Sequence, residues 1–475
     1  MANPGGHRIL AIDQGTSGTK AIVINSAGVI ESLAEVPIRP VYGSGSSVEQ
    51  DPVALLASVR EAGRDAIASA GGAIDAVTLA NQGETVLAWD PASGEPLTPA
   101  IVWQDGRSQE VCDEMQDEAE FLAARTGLVL DPYFTAPKMA WLRRHLTREG
   151  VVTTTDTWIV HALTGEFVTD VTTASRSLLL DVDTCAWGTD LLDAFGLGSE
   201  RLPRLVRCDE VVGTTSAFGP EVPVTGLIVD QQAALLAESC FRPGQAKCTY
   251  GTGAFVLANV GGTALRSRDG LTTSVAWATR EGVTYCVDGQ VFTVASALRW
   301  LTDVGLLDGD VDSAVAEDSG GVLCSPALAG LGAPWWRSDA QASFTGLSLS
   351  TTRGNLVRAV VEGVAAQVRD LVMVMAGEAG LTSLRVDGGL TQSAAFMQIQ
   401  ADLVQRPVEV YPSPHATALG TAALGRMALS PGMLVENAVW EWSPARVFEP
   451  RWSPERAEEH MDRWRRTLTS SLGER

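Results

Sequence analysis

The stretch "ILAIDQGTSGTKAIVINSAG", residues 9–28, sets Asp13, Thr16, Ser17, Thr19 and Lys20 between two apolar runs. Apolar runs either side of a short loop of glycines and hydroxyls predict a β-hairpin. Gly15 and Gly18 let successive backbone N–H groups turn toward one point, an arrangement that suits a phosphate. Thr16, Ser17 and Thr19 add hydroxyl donors, and Lys20 adds a positive charge. The carboxylate of Asp13 suits Mg²⁺, held through water because magnesium keeps much of its hydration shell. The GxxxxGK[ST] spacing of a P-loop is absent, and this turn joins two strands where a P-loop joins a strand to a helix.

Two later stretches have related chemistry. "AKCTYGTGAFVLANVGG" (246–262) again sets two β-favouring runs around a glycine–threonine turn, Gly251-Thr252-Gly253. A second hairpin about half a chain after the first predicts two related halves. "LRVDGGLTQS" (384–393) reads as a strand ending at Asp387-Gly388-Gly389, followed by the helical "AAFMQIQADLVQ". A glycine pair at a strand-to-helix switch lets a ligand approach the backbone and the helix N-terminal amides. Together the three turns fit a cleft between two domains, with a triphosphate between the hairpins and a nucleoside on the glycine pair.

The elements that must position these turns are legible as well. Apolar runs at 9–12, 21–24, 76–80 and 86–89 predict strands, and 53–70 predicts a helix, an alternation that indicates an α/β fold. Val357, Val360, Val361, Val364, Val368, Leu371, Val372 and Met375 recur at steps of three and four, which predicts an amphipathic helix. The Arg- and Glu-rich tail from about 453 reads as a solvated closing helix. A chain of 475 residues exceeds one ordinary core, so two domains are expected, 1–241 and 242–475.

Composition excludes several function classes. With 57 acidic against 35 basic residues the formal charge is −22, which leaves no basic excess for nucleic acid or an anionic membrane surface. The seven cysteines include no CxxC pair, so neither a zinc site nor a disulfide framework is indicated, and reduced thiols in the cytoplasm are expected. "MANPGGHRIL" lacks the apolar core of a signal peptide, and no apolar run reaches membrane-spanning length. These readings lead to the expectation of a soluble cytoplasmic protein.

Several stretches resemble the FGGY carbohydrate kinases, and most closely the glycerol kinases among them. They are "AIDQGTSGTKA" (11–21), "VWQDGR" (102–107), "TGLVLDPYF" (126–134), "DTWIVHALTG" (156–165), "VDQQAAL" (229–235), "YGTGAF" (250–255), "GLGAPWW" (330–336) and "RVDGGL" (385–390), in family order. The resemblance implies two ribonuclease-H-like α/β domains of the actin, hexokinase and heat-shock ATPase superfamily, with an interdomain cleft. It implies a kinase that uses ATP and Mg²⁺ on a small polyol or sugar, with Asp230 as the general base. ATP binding falls to Thr16, Ser17, Thr252, Gly388 and Gly389, and Mg²⁺ to Asp13 through water. The polyol falls to Gln82, Glu84, Trp103, Tyr133, Asp230, Gln231 and Phe255. The resemblance also allows a homo-oligomer.

The pattern breaks in a few places. "NQGETV" (81–86) has Gly83 where the glycerol kinases carry an arginine that donates to glycerol hydroxyls. Losing that donor leaves hydroxyls of a small triol short of partners, and losing the side chain is expected to open space. A tetritol, pentitol or ketopentose is therefore the alternative to glycerol. Ala295 and Ser393 replace a glycine and an asparagine near the nucleotide, which leaves nucleotide preference open. An actin-like, nucleotide-switched binding protein is the alternative from another class. It needs neither a general base nor a polyol pocket.

Overall fold

The computed structural model describes residues 6–472 apart from residue 338. Two large mixed sheets dominate it. In the first, β1 (Ile9–Gly15), β2 (Gly18–Ile24) and β3 (Ile30–Pro37) form an antiparallel meander. α1 (Pro52–Ala70) leads to β4 (Ala76–Asn81), which lies parallel to β1. The edge strand β5 (Gly213–Thr215) precedes β6 (Val222–Val229), which is parallel to β4, giving the order β5-β6-β4-β1-β2-β3. Ile9 to Ile12 are all buried because β1 lies mid-sheet with both faces covered. The helical period of α1 turns Leu55, Val59, Ala62 and Ala66 inward, and Asp51 caps its start by accepting from the Val53 N–H at 2.9 Å.

α2 (Asp230–Ala237) follows β6 directly and leads into the second sheet. There β7 (Gln245–Tyr250), β8 (Ala254–Gly261), β9 (Thr272–Thr279) and β10 (Gly282–Val291) are antiparallel neighbours. The helix α3 (Arg353–Ala379) crosses to β11 (Ser383–Asp387), parallel to β7, and α4 (Ala394–Val404) to β12 (Val408–Val410), parallel to β11. The edge strand β13 (Arg446–Phe448) completes the order β9-β10-β8-β7-β11-β12-β13. Apart from the extra strand β9, this repeats the plan of the first sheet: a three-strand meander, two parallel strands and an antiparallel edge. The two halves anticipated from the paired hairpins therefore exist as topology.

The valine-rich helix is α3, opened by a capping box between Thr352 and Asn355, and all eight residues of its predicted stripe are buried. The closing helix α6 (Pro454–Ser471) departs from its expected character. Ala457, Met461, Trp464 and Leu468 form a buried stripe, and Trp464 Nε1 donates to the Cys324 carbonyl at 2.8 Å. The charged residues cover only its outer face, because apolar spacing within a charge-rich segment still makes one amphipathic side.

Between α4 and α6, α5 (Ala416–Leu429) crosses from the second half of the chain onto the first sheet. Its Ala418 and Ala422 pack with Ile9, Ala11, Ile22 and Ile24, and its Gly420 abuts the backbone of Ala233 on α2. α2 and α5 thus form the seam between the halves. All seven cysteines are free, and among the described residues no helix is long and apolar enough to cross a membrane.

Candidate active site

A cavity of about 330 Å³ opens where the two hairpins face each other. Its walls include Asp13, Thr16, Ser17 and Lys20 from the first hairpin and Gly251, Thr252 and Gly253 from the second. Gly15 pairs with Gly18 across the first turn, so Thr16 and Ser17 form its tip. In the second turn the Gly251 N–H donates to the Gly253 carbonyl at 2.9 Å, and the carbonyls of Gly251 and Thr252 accept from the start of the helix at Ala295–Asp303. That helix holds the turn from behind, and Ala295 takes part through its backbone N–H.

The rest of the wall comes from residues far apart in sequence. Gln82, Gly83 and Glu84 follow β4, and Asp230 and Gln231 open α2. Trp103 and Tyr133 come from the first half and Phe255 from β8. Their rings meet edge to face, with Trp103 centred 5.6 Å from Tyr133 and 5.9 Å from Phe255. An aromatic wall contributed by both halves can cover a carbon skeleton and exclude water. Trp103 Nε1 also donates to Thr16 Oγ1 at 2.9 Å, which ties this wall to the first turn.

Every expected substrate-side residue therefore faces one cavity, as do Asp13, Thr16, Ser17 and Thr252. Gly388 and Gly389 do not line it. They sit beside the second turn, where Gly388 has φ 92° and a Cβ would lie 2.4 Å from the Tyr250 carbonyl oxygen. Only glycine fits that approach. Gly389 is exposed, with nothing within 4 Å of a Cβ position. Ser393 caps α4 by accepting from the Phe396 N–H, and its hydroxyl donates to Asp312.

The space beside Gly83 is less open than the sequence suggests. A Cβ there would lie 2.9 Å from Cγ2 of Val229, the residue before Asp230. The valine occupies part of the volume that a longer side chain at 83 would need.

Electrostatics mark the same spot. Burial raises the Asp13 carboxyl to about 6; Lys20 opposes the shift while Asp387 and Glu35 add to it. Burial also raises Asp230 to about 6, with the charge of Asp13 adding to the effect and Lys247 opposing it. Two part-buried carboxylates that repel each other form a natural cation site. Gln14 Oε1, beside Asp13 on β1, and Asp387 Oδ1, at the end of β11, are buried close by without a hydrogen-bond partner. Among the described residues no group of three or more His, Cys, Asp and Glu side chains could hold a metal alone. A set of one or two carboxylates completed by phosphate and water is what Mg²⁺ takes, so the residues present fit that ion.

Several residues here gave no signal in sequence. Lys247 is fully buried on β7 and donates to Gln231 Oε1 at 2.6 Å and to Thr249 Oγ1 at 2.7 Å. The bond fixes the Gln231 amide with its NH₂ group still available as a donor. Gln50 donates to the Thr16 carbonyl and accepts from Gln82, at 2.7 Å each, which links the first turn to the strand end. Lys138 donates to the carbonyls of Pro132, Tyr133 and Phe134 and so pins the segment that carries Tyr133. Lone lysines and glutamines have no pattern to read.

Comparison with known proteins identifies the family of the chain. Residues 8–237 match the N-terminal domain of the FGGY family of carbohydrate kinases, and residues 246–429 match its C-terminal domain. The chain belongs to this family. An FGGY kinase is an enzyme that transfers a phosphoryl group to an alcohol group of a polyol or sugar. The chain is 40% identical to a glycerol kinase of Thermus brockianus, covering 98% of each chain. It is 37% identical to a glycerol kinase of Bordetella parapertussis, over 98% of this chain and 97% of that one. Among solved structures it superposes on Plasmodium falciparum glycerol kinase with ADP, with TM-score 0.91, 28% identity and 99% of both chains covered. The two-domain α/β fold expected from the turns is thus the fold of this FGGY kinase.

Proposed function

We propose that this FGGY kinase phosphorylates a small polyol, glycerol foremost, at the expense of ATP, in the cytoplasm. The observation that carries this reading is the convergence of Glu84, Asp230 and Gln231 with the Trp103–Tyr133–Phe255 wall in a cavity that also carries both turns. Glu84 and the Gln231 amide orient hydroxyls while the rings cover the carbon chain. Asp230 accepts the proton of the attacking hydroxyl as the phosphoryl group transfers. The backbone and hydroxyls of Thr16, Ser17 and Thr252 cradle phosphate oxygens, and Gly388 and Gly389 leave room for the nucleoside. Asp13 would hold Mg²⁺ through water, and the ion, when bound, neutralises charge on the phosphates. A domain division at 241/242 belongs to the same reading, supported by α2 ending at Ala237 and β7 starting at Gln245.

The test is ADP release by the purified protein with Mg·ATP and a panel of glycerol, tetritols, pentitols and ketopentoses. Glycerol is expected to give the highest kcat/KM. Activity confined to a longer substrate would instead favour the tetritol, pentitol or ketopentose reading that Gly83 raises. No polyol-dependent ADP release from any of them would overturn the proposal.

The same assay gives a pH profile. Asp230, raised to about 6 by burial, serves as a base only when deprotonated. The kcat/KM for polyol is therefore expected to be level at neutral pH and to fall as pH drops through about 6, since kcat/KM reports groups of the free enzyme. A profile still level at pH 4 would show that no such base is required.

A further inference from the structure

Behind the polyol side of the cavity lies a chain of buried ions. Arg176 Nε donates to Glu84 Oε1 at 2.6 Å, and its Nη1 donates to both carboxylate oxygens of Asp288, at 2.7 and 2.8 Å. The side chains of Arg176, Glu84 and Asp288 are 6%, 4% and 7% exposed, so the whole triad is withdrawn from water. Glu84 and Arg176 belong to the first half of the chain, whereas Asp288 stands on β10 of the second sheet. Asp288 also accepts from Ser274 Oγ at 3.2 Å, and Ser274 Oγ accepts from Gln232 on α2 at 3.2 Å. The guanidinium carbon lies 5.6 Å from the Tyr133 ring centre and 5.3 Å from that of Phe134.

Stability does not explain this arrangement. Taking three ions out of water is costly, and well-packed apolar residues usually serve a core as well or better. Glu84 also has φ 57°, a left-handed conformation that is strained for a non-glycine residue and persists only where the surroundings enforce it. Among the described residues Arg176 alone donates to the Glu84 carboxylate, through Oε1, so Oε2 is left for the cavity that Glu84 lines. Arg176 itself does not line that cavity.

We propose that Arg176 is the positioning residue of the polyol site: held between Glu84 of the first half and Asp288 of the second, it aims the Glu84 carboxylate at the substrate. In this chain the guanidinium that partners Glu84 comes from position 176, and neighbouring Gly83 has no side chain to supply one. Because one of its anchors lies on the second sheet, the aim of Glu84 depends on how the two halves sit together. Polyol affinity is thereby coupled to the domain seam. This inference rests on the reading of Glu84 as a polyol ligand.

The test compares wild type with Arg176→Lys, Arg176→Gln and Asp288→Asn, measuring KM for glycerol, KM for Mg·ATP and the thermal midpoint. Arg176→Lys keeps the charge but cannot bridge both carboxylates with the planar fork. It is expected to raise KM for glycerol about tenfold or more, the order expected for loss of a charged hydrogen bond, while KM for Mg·ATP stays near the wild-type value. A merely structural role would shift both KM values together or neither. A folded Arg176→Lys or Arg176→Gln protein with a wild-type glycerol KM overturns the proposal. If both fail to fold, Asp288→Asn, which preserves volume, decides: a selective rise in glycerol KM supports the positioning role and an unchanged value overturns it. A wild type without ADP release on any polyol of the panel defeats the proposed function and this inference together, whereas an active wild type with indifferent variants defeats the inference alone.

Discussion

Asp230→Asn is expected to lower kcat about a thousandfold while leaving KM for glycerol and Mg·ATP within a few-fold of wild type, the usual scale for removing a general base. Asparagine has the shape and the hydrogen-bonding reach of aspartate but cannot take up the proton released by the attacking hydroxyl. The substitution also removes one of two part-buried carboxylates that repel each other, since Asp13 adds to the upward shift of Asp230. The variant should therefore be as stable as wild type or more so at neutral pH. Steady-state kinetics beside a thermal melt checks both statements. A folded Asp230→Asn enzyme that retains a tenth or more of wild-type kcat, on the order of one pKa unit in barrier height, would remove Asp230 from the role of base.

The second large effect belongs to the seam. Gly420→Ala is expected to destabilise the protein by about 2–3 kcal/mol and to impair turnover, although alanine ordinarily stabilises a helix by up to about 1 kcal/mol over glycine. The sign reverses because a Cβ on Gly420 would lie 1.9 Å from the Ala233 carbonyl oxygen and 2.6 Å from its carbon. Those atoms are backbone of α2 and cannot swing aside as a side chain could. α2 and α5 must then part by on the order of 1 Å, which shifts the helix that presents Asp230 and Gln231. Gly377→Ala is the control. It lies in α3, is exposed, and has nothing within 4 Å of its Cβ position, so alanine there is expected to raise the melting temperature slightly. If Gly420→Ala melts no lower than wild type, the helices do not cross as closely as described.

The seam also explains why the halves are not independent in packing. α5 is encoded after the second sheet is nearly complete, yet its small residues Ala418 and Ala422 are buried against Ile9 and Ile22 of the first. Thr421 donates to the carbonyl of Gly226 on β6, and Gly226, at φ 64°, has no Cβ to obstruct that approach. Small residues along one helix let it lie close to both α2 and the sheet, and α2 carries the proposed base. A displacement of α5 against α2 would therefore shift the residue proposed as the base, Asp230.

Much of this could be read from the chain alone, and for a definite reason. A strand buried on both faces must be a continuous apolar run, and a turn that cradles phosphate must be built of glycine and hydroxyls. Residues 9–24 and 246–261 therefore state both element and chemistry locally. The same holds for α3, whose stripe from Val357 to Met375 is a periodic signal that any burial against a sheet requires. The substrate-side residues were legible through family motifs, because each lies within a short stretch of recognisable order. What local patterns could not encode were the partnerships between distant positions. Whether space exists beside Gly83 depends on Val229, brought there by the parallel pairing of β6 with β4. The partner of Glu84 is Arg176, 92 positions away, and the partner of Arg176 is Asp288, 112 further on. The buried face of α6 was masked by its charges, since composition counts residues without regard to direction. Sequence by itself determined the elements, the turns and the kinds of group that the site requires. Tertiary structure alone decided which charge meets which, because burial and pairing arise only when the two sheets are packed across one seam.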